Sequence, residues 1–301
     1  MNAQDAKALV ETGLQQMLDD PEPWRQWAQT MTRFHRYSPG NVLLIMQQRP
    51  DASYVAGYHA WKDLGRQVQK GEHGIAILAP IVRTVPSEET TTPSQSPAPS
   101  PTKAVVGFKV ATVFDIAQTQ GKELPIPQPQ LLDSGDLEEV LRHLVPTVPV
   151  PVQFAPAAQL HGANGVWSPV NQTITIAQDR SPDQQLKTVL HEWSHSIGVP
   201  DAAAALDRHT GSEEIVAETT AFILAGRMGL DTSQYTLPYV GHWAQGDPQK
   251  VLALTQAVSG RVQSLSTVLE QAAQKDPVLA QALGQPPAQP TPAAEAEYEV
   301  G

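Results

Sequence analysis

The chain has 301 residues, 41% of them hydrophobic, a formal net charge of −11 and no cysteine. This length suggests two domains, the missing cysteines exclude disulfides and thiolate ligands, so any metal must rest on His and carboxylate, and the acidity argues against indiscriminate nucleic-acid binding by the whole molecule. No apolar run approaches the roughly 20 residues that span a bilayer, and no basic segment leading into an apolar one opens the chain, so a cytoplasmic location with no membrane partner is expected.

Leu9, Val10, Leu14, Met17 and Leu18 fall on one helical face. Pro23 suits the first turn of a second helix, with Trp24, Trp27, Met31 and Phe34 on its apolar side. Asn41 is placed to cap a third helix carrying Val42 to Gln47. Ser53–Gly57 and Gly74–Val82 read as strands, with Gly65 and Gly71 marking turns between them. The Pro- and Ser/Thr-rich run at 86–102 has no apolar period and reads as a disordered insertion. Beyond it, Ala104–Asp115 reads as a strand pair that joins Gly74–Val82 across the insertion. A second Pro-rich stretch, Leu124–Leu131, marks the domain boundary, giving a first domain at 1–123 and a second at 132–275.

The second domain opens with a helix over Asp136–Val145, then strand-like pieces at Val150–Ala155, Gly165–Ser168 and Gln172–Ala177, the last two flanking a turn at Pro169–Asn171. Helices follow over Asp183–Gly198, Ser212–Met228, Tyr235–Ala244 and Pro248–Gln274. The Pro/Ala/Glu-rich tail at 285–301 reads as disordered. The fold class is α+β: a mixed helix and strand N-terminal domain followed by a second, helix-rich one.

His191-Glu192-Trp193-Ser194-His195 is the pattern H-E-x-x-H. On a helix, residues four apart share a face, so both imidazoles reach one ion while Glu192 lies beside it. Neutral imidazole suits Zn2+, a catalytic site keeps a position open for water, and the ion lowers the pKa of that water to about 7. A carboxylate such as Glu192 then completes the deprotonation as general base.

A third ligand must come from elsewhere, and Glu213, Glu214 and Glu218 lie on the next long helix. The spacing resembles that of the glutamate-type zincins, in which a Glu on a second helix completes the site and an acid one turn later braces a ligand His. That resemblance implies Glu214 as ligand and Glu218 as the residue orienting an imidazole N–H, with the swapped assignment left open. Glu213 points about 100° away from Glu214 and is the weakest of the three. In such enzymes a strand edge before the metal helix takes up an extended substrate by β-addition, and Gln172–Ala177 is placed to do so. Tyr235, Tyr239 and His242 are candidate donors to an oxyanion, but the four-residue spacing of Tyr239 and Trp243 fits helix packing better.

The charge is uneven. From Trp24 to Arg83 there are eight Lys/Arg against three acids, interleaved with Trp24, Trp27, Phe34, Tyr37, Tyr54, Tyr58 and Trp61. Stacking aromatics with Arg and Lys on phosphates make a single-strand-binding surface. The spacing of Trp24, Trp27 and Phe34 fits a core instead. Arg36, Tyr37, Asn41, Arg66 and Lys70, at helix starts and Gly-bounded turns, are the expected DNA contacts.

The run Phe34-His-Arg-Tyr-Ser-Pro-Gly-Asn41, with Leu43-Leu-Ile, Val55-Ala-Gly57, Trp61, Leu64-Gly-Arg66, Lys70-Gly-Glu-His-Gly-Ile75 and Val113-Phe-Asp115, resembles the N-terminal domain of ArdC-type antirestriction proteins. The half holding His191–His195 and Glu213–Glu218 resembles the zincin-like peptidase domain found with it. The resemblance covers roughly residues 24–245. It implies a protein of plasmids or phages that binds single-stranded DNA nonspecifically and carries a zinc metallopeptidase domain acting on an unknown protein substrate. The insertion at 86–102 and the Ala-rich Asp201–Leu206 depart from the pattern without touching a motif residue. Two other readings stay open: a DNA-masking protein with a structural zinc, and a peptidase that cleaves a repressor.

Overall fold

A computed structural model describes residues 1–85, 102–124, 134–198, 211–233 and 235–284. The expected insertion, the Pro-rich boundary beyond residue 124, the Ala-rich segment at 201–206 and the tail lie outside the described residues.

Three helices open the chain: α1 (Ala3–Asp19), α2 (Pro21–Phe34) and α3 (Pro39–Gln48). Each start is capped locally. The Asn2 side-chain Oδ1 accepts from the N–H groups of Gln4 and Asp5, and the Asp20 carboxylate accepts from Glu22 N–H between prolines that have no N–H to satisfy. Ser38, not Asn41, caps α3. Asn41 is buried instead and uses its amide both ways on Leu78, donating to the carbonyl at 3.0 Å and accepting from the N–H at 2.8 Å. Gln48, two turns later on the same face, does the same to Ala76 at 2.8 and 2.9 Å. These two amides therefore satisfy an outer strand edge that would otherwise be left unpaired.

That strand is β3 (Ile75–Val85). It pairs antiparallel with β4 (Thr102–Asp115), and β1 (Val55–Gly57) adds to the other side of β4. The expected strand pair at 104–115 is thus one long strand. Gly107, opposite Ile81, makes no turn; the register shifts between Ile81 and Val82, and the ribbon continues past this bulge. Helix α4 (Tyr58–Asp63) links β1 to a separate two-stranded ribbon, β2 (Arg66–Val68) with β5 (Thr119–Gly121). The ribbon closes tightly: a side chain at Gly121, which has φ +138°, would meet Gly65 O at 2.4 Å.

The second half comprises α5 (Ser134–Leu144), β6 (Val152–Ala155), β7 (Gly165–Ser168), β8 (Thr173–Ala177), α6 (Pro182–Gly198), α7 (Gly211–Arg227), α8 (Val240–Ala244), α9 (Pro248–Ala273) and α10 (Pro277–Ala282). The helix expected from Tyr235 begins only at Val240, because Pro238 disfavours helical backbone before it. In the sheet, β8 is central, parallel to β6 and antiparallel to β7.

A single apolar cluster runs through both halves, from Trp24, Trp27 and Phe34 to Trp193, Phe222 and Val262. The break in composition near residue 124 is therefore not a break in packing. Polar ties reinforce the junction: Glu270 on α9 accepts from Arg36 at 2.8 Å, Arg227 at 2.9 Å and His35 at 3.1 Å. No helix among the described residues is long and apolar enough to cross a membrane.

Candidate metal centre

Helix α6 carries the H-E-x-x-H residues because Leu186, Val189, Leu190 and Trp193, all fully buried, fix its apolar face against the core. His191 and His195 then project together, one turn apart. Their Nε2 atoms lie 3.1 Å apart. Helix α7 packs across α6 and brings Glu214 to the same point, with its oxygens 3.5 Å from His191 Nε2 and 3.4 Å from His195 Nε2. Four-coordinate zinc with bonds of about 2.0–2.2 Å separates its donors by roughly 3.3–3.6 Å. The two distances to Glu214 fall within that edge length, and the two imidazole nitrogens lie just inside it at 3.1 Å. Two facing imidazole nitrogens and a carboxylate also exceed what one shared proton satisfies, so the donor set fits a divalent cation. Among the described residues, His191, His195 and Glu214 form the one group of three donors close enough to hold an ion.

Behind these donors lies a brace. Glu218 faces His191 Nδ1 at 3.0 Å and takes the Lys187 ammonium at 2.6 Å. The Lys187 ammonium in turn sits over the Tyr235 ring, 4.1 Å from its centroid. Lys187 escaped the sequence reading, although it precedes His191 by four residues and so shares its helical face. Glu213 turns away to Arg261 on α9 at 2.6 Å.

Glu192 sits on the other side, 8% exposed, with Oε2 accepting from the Trp167 N–H of β7 at 2.7 Å. No sequence signal marks this contact, because the donor is backbone. It requires Gly165: a Cβ there would meet Thr188 Cγ2 at 2.5 Å and Glu192 Cγ at 3.2 Å. The strand beside the metal helix is accordingly β7, an edge. The strand expected to receive a substrate, β8, has both sides occupied by β6 and β7, so it has no free edge for β-addition.

Protonation follows from this geometry. Burial alone would lower the His191 pKa, but the Glu214 and Glu218 carboxylates outweigh it and push it up to about 9. Hydrogen bonds from His191 and then His195 hold Glu214 well below the usual carboxylate range. Burial opposes ionisation of Glu218, yet His191 and Lys187 together lower its pKa. Burial raises that of Glu192 against the pull of both imidazoles and of Trp167 N–H. The acids that draw a proton onto His191 would equally draw a cation to the same place.

The possible oxyanion donors are placed differently. Tyr239 gives its hydroxyl to Leu18 O, Tyr235 packs against Phe222 and under Lys187, and His242 is exposed on α8.

The expected DNA contacts are scattered. Tyr37 is 1% exposed, hydrogen-bonded to Val55 O and packed edge-on to Phe34, so it offers no stacking face. Asn41 is buried on β3, and Arg36 is paired with Glu270 across the core junction. Arg66 is half-buried, donating to Thr119 and Lys122 O, and Lys70 is exposed in the turn after β2. Motif periodicity could not show this, because burial of Tyr37 and Asn41 is set by β1 and β3 packing on them.

Residues 8–114 match the N-terminal domain of anti-restriction factor ArdC. Over 268 residues the chain is 25% identical to an uncharacterized protein of Bacillus anthracis, an alignment covering 78% of this chain and 45% of that one. The chain thus spans less than half the length of the curated relative it matches. Among solved structures, the metal-free crystal structure of the antirestriction ArdC protein from the R388 plasmid is similar at TM-score 0.50 and 19% identity, over 79% of this chain and 86% of that one. The Mn(II)-bound structure of the same protein gives TM-score 0.47 and 20% identity, over 78% and 88%. The likeness to the metal-free structure is one of fold.

Proposed function

We propose that this chain is an ArdC-type protein, a zinc-dependent metallopeptidase whose N-terminal half binds single-stranded DNA nonspecifically, in the service of antirestriction for a mobile genetic element; the match of residues 8–114 to the N-terminal domain of anti-restriction factor ArdC supports this reading. The convergence of His191, His195 and Glu214 with a sheltered Glu192 beside them carries the peptidase reading. His191, His195 and Glu214 would hold the ion. Once bound, it would supply Lewis acidity toward a scissile carbonyl and lower the pKa of water. Glu192 takes the proton from the attacking water and hands it to the leaving amine. Trp167 N–H fixes the carboxylate until substrate arrives. Glu218 holds the His191 ring by Nδ1, leaving Nε2 aimed at the shared point. An extended protein segment would add to the free edge of β7. Glu214 is half exposed, so one side of the donor set opens to solvent, as a catalytic rather than a structural zinc site requires.

The test is metal content and proteolysis on one set of variants. Elemental analysis should find about one zinc per chain in wild type and none in His191→Ala or Glu214→Ala. Glu192→Gln should keep its zinc and its DNA affinity but lose cleavage of a DNA-bound protein. Failure of carefully purified wild type to take up zinc or manganese would remove the peptidase reading. Zinc uptake with no cleavage, and protection of DNA unchanged in Glu192→Gln, would point to a DNA-masking protein with a structural zinc.

A further inference from the structure

We propose that single-stranded DNA is seated in the groove between α4 and the β2–β5 ribbon, a location that rests on the single-strand-binding reading above. The groove has a volume of about 740 Å³, within the range of small-ligand sites. Tyr58, His59 and Lys62 on α4 form one wall, and Arg66, Gln67 and Gln120 on the ribbon form the other. Among the described residues no carboxylate lines it, in a protein with eleven more acids than bases.

Three observations single it out. Tyr58 is 48% exposed, whereas Trp61, three residues on, is fully buried; the helix packs Trp61 against Tyr54 and Ala56 and turns Tyr58 outward. Tyr58 and Lys62, four apart, share a helical face, so a stacked base and a neighbouring phosphate can be met together. Arg66 is held in place by Thr119 Oγ1 at 2.7 Å, Thr119 O at 2.9 Å and Lys122 O at 2.6 Å. Those acceptors orient the guanidinium without cancelling its charge. Among the described residues no carboxylate pairs with Lys62 or Arg66, whereas Arg36 and Arg49 are paired with Glu270 and Asp51. A fixed, uncompensated cation beside an outward aromatic is what a phosphate and a base need. Gln67 and Gln120 carry both donor and acceptor, so they accept any base edge, and stacking itself is indifferent to sequence. Phe108 on the β3–β4 ribbon, 51% exposed, is another exposed aromatic of this half and serves as the internal control.

The experiment is fluorescence anisotropy of the full chain with a labelled oligo-dT at several salt concentrations, for wild type, Tyr58→Ala, Lys62→Ala and Phe108→Ala. Tyr58→Ala should weaken binding roughly 5- to 100-fold with the salt slope unchanged. Lys62→Ala should reduce the slope of log affinity on log salt by about 0.7. Phe108→Ala should bind as wild type. An iodouracil-substituted oligonucleotide should photocrosslink to the peptide containing Tyr58. If wild type binds but the Tyr58 and Lys62 variants bind equally well, or if only Phe108→Ala is impaired, the groove assignment falls and the DNA-binding reading survives. If wild type does not bind at low salt, both fall together.

Discussion

Substituting Glu218 tests the architecture of the metal centre most directly. Its carboxylate makes one contact to His191 Nδ1 at 3.0 Å and another to Lys187 at 2.6 Å, and it is 19% exposed. Glu218→Ala removes a charge-assisted hydrogen bond, of a kind worth about 1.5–3 kcal/mol. It also frees the His191 ring to rotate and leaves the Lys187 ammonium beside it without a counter-charge, which opposes a second cation. The three effects act in one direction, so metal affinity should fall roughly 10- to 100-fold, with the higher end expected because Lys187 remains. Lys187→Met in the Glu218→Ala background should recover part of the loss, and Glu218→Gln, whose amide oxygen still accepts from Nδ1, should lose less than Glu218→Ala. The assay is competition of zinc between the protein and a chromophoric chelator. A loss as complete as that of Glu214→Ala would exchange the roles of the two acids. An affinity within about threefold of wild type would refute the idea that the brace positions the ligand.

Three further outcomes follow from other contacts. His35 has its pKa pushed down to about 4, burial outweighing the Glu270 hydrogen bond. The unfolded chain therefore takes up a proton between about pH 6.5 and 4 that the folded chain refuses, so stability falls by up to about 3 kcal/mol as pH drops through that window; urea titrations across the range should show His35→Gln with a flatter profile. Glu270→Ala strands the buried Arg227 guanidinium, 5% exposed, and should cost about 3–5 kcal/mol in chemical denaturation, against about 1 kcal/mol or less for the more exposed Arg36→Ala. Gly165→Ala drives a methyl into Thr188 and Glu192 and should destabilise by about 1–3 kcal/mol in a thermal melt, with Thr188→Ser restoring part of it; an unchanged melting temperature would mean that β7 does not lie against α6 so closely.

Much of the local structure was legible in the sequence, because it depends on neighbours within a few residues. The one-turn spacing of His191 and His195 decides that their imidazoles meet, whatever surrounds the helix, and the same argument puts Glu214 and Glu218 on a common face of α7. Pro23 in the first turn of α2 acts as locally, through a backbone nitrogen that has no N–H to satisfy. The Asn41 reading failed in kind: its side chain is as well suited to a cap as to a bridge, and Ser38 lies nearer the start of the same helix. Tyr37 shows a similar ambiguity, since an aromatic beside an arginine fits a stacking surface and a core equally well until its neighbours are known.

The sequence by itself therefore determined the α+β class, the two helices that carry the candidate ligands, and their donor types, all of which follow from periodicity and from the chemistry of single side chains. Only the tertiary structure decided that β7 is an edge strand while β8 is central, that Trp167 N–H holds Glu192, that Lys187 completes the brace, and that the main apolar cluster runs through both halves and is tied by Glu270. These depend on strand order and on contacts between residues far apart in the chain, where pairing is chosen by how much apolar surface the whole arrangement buries. No local pattern encodes that choice.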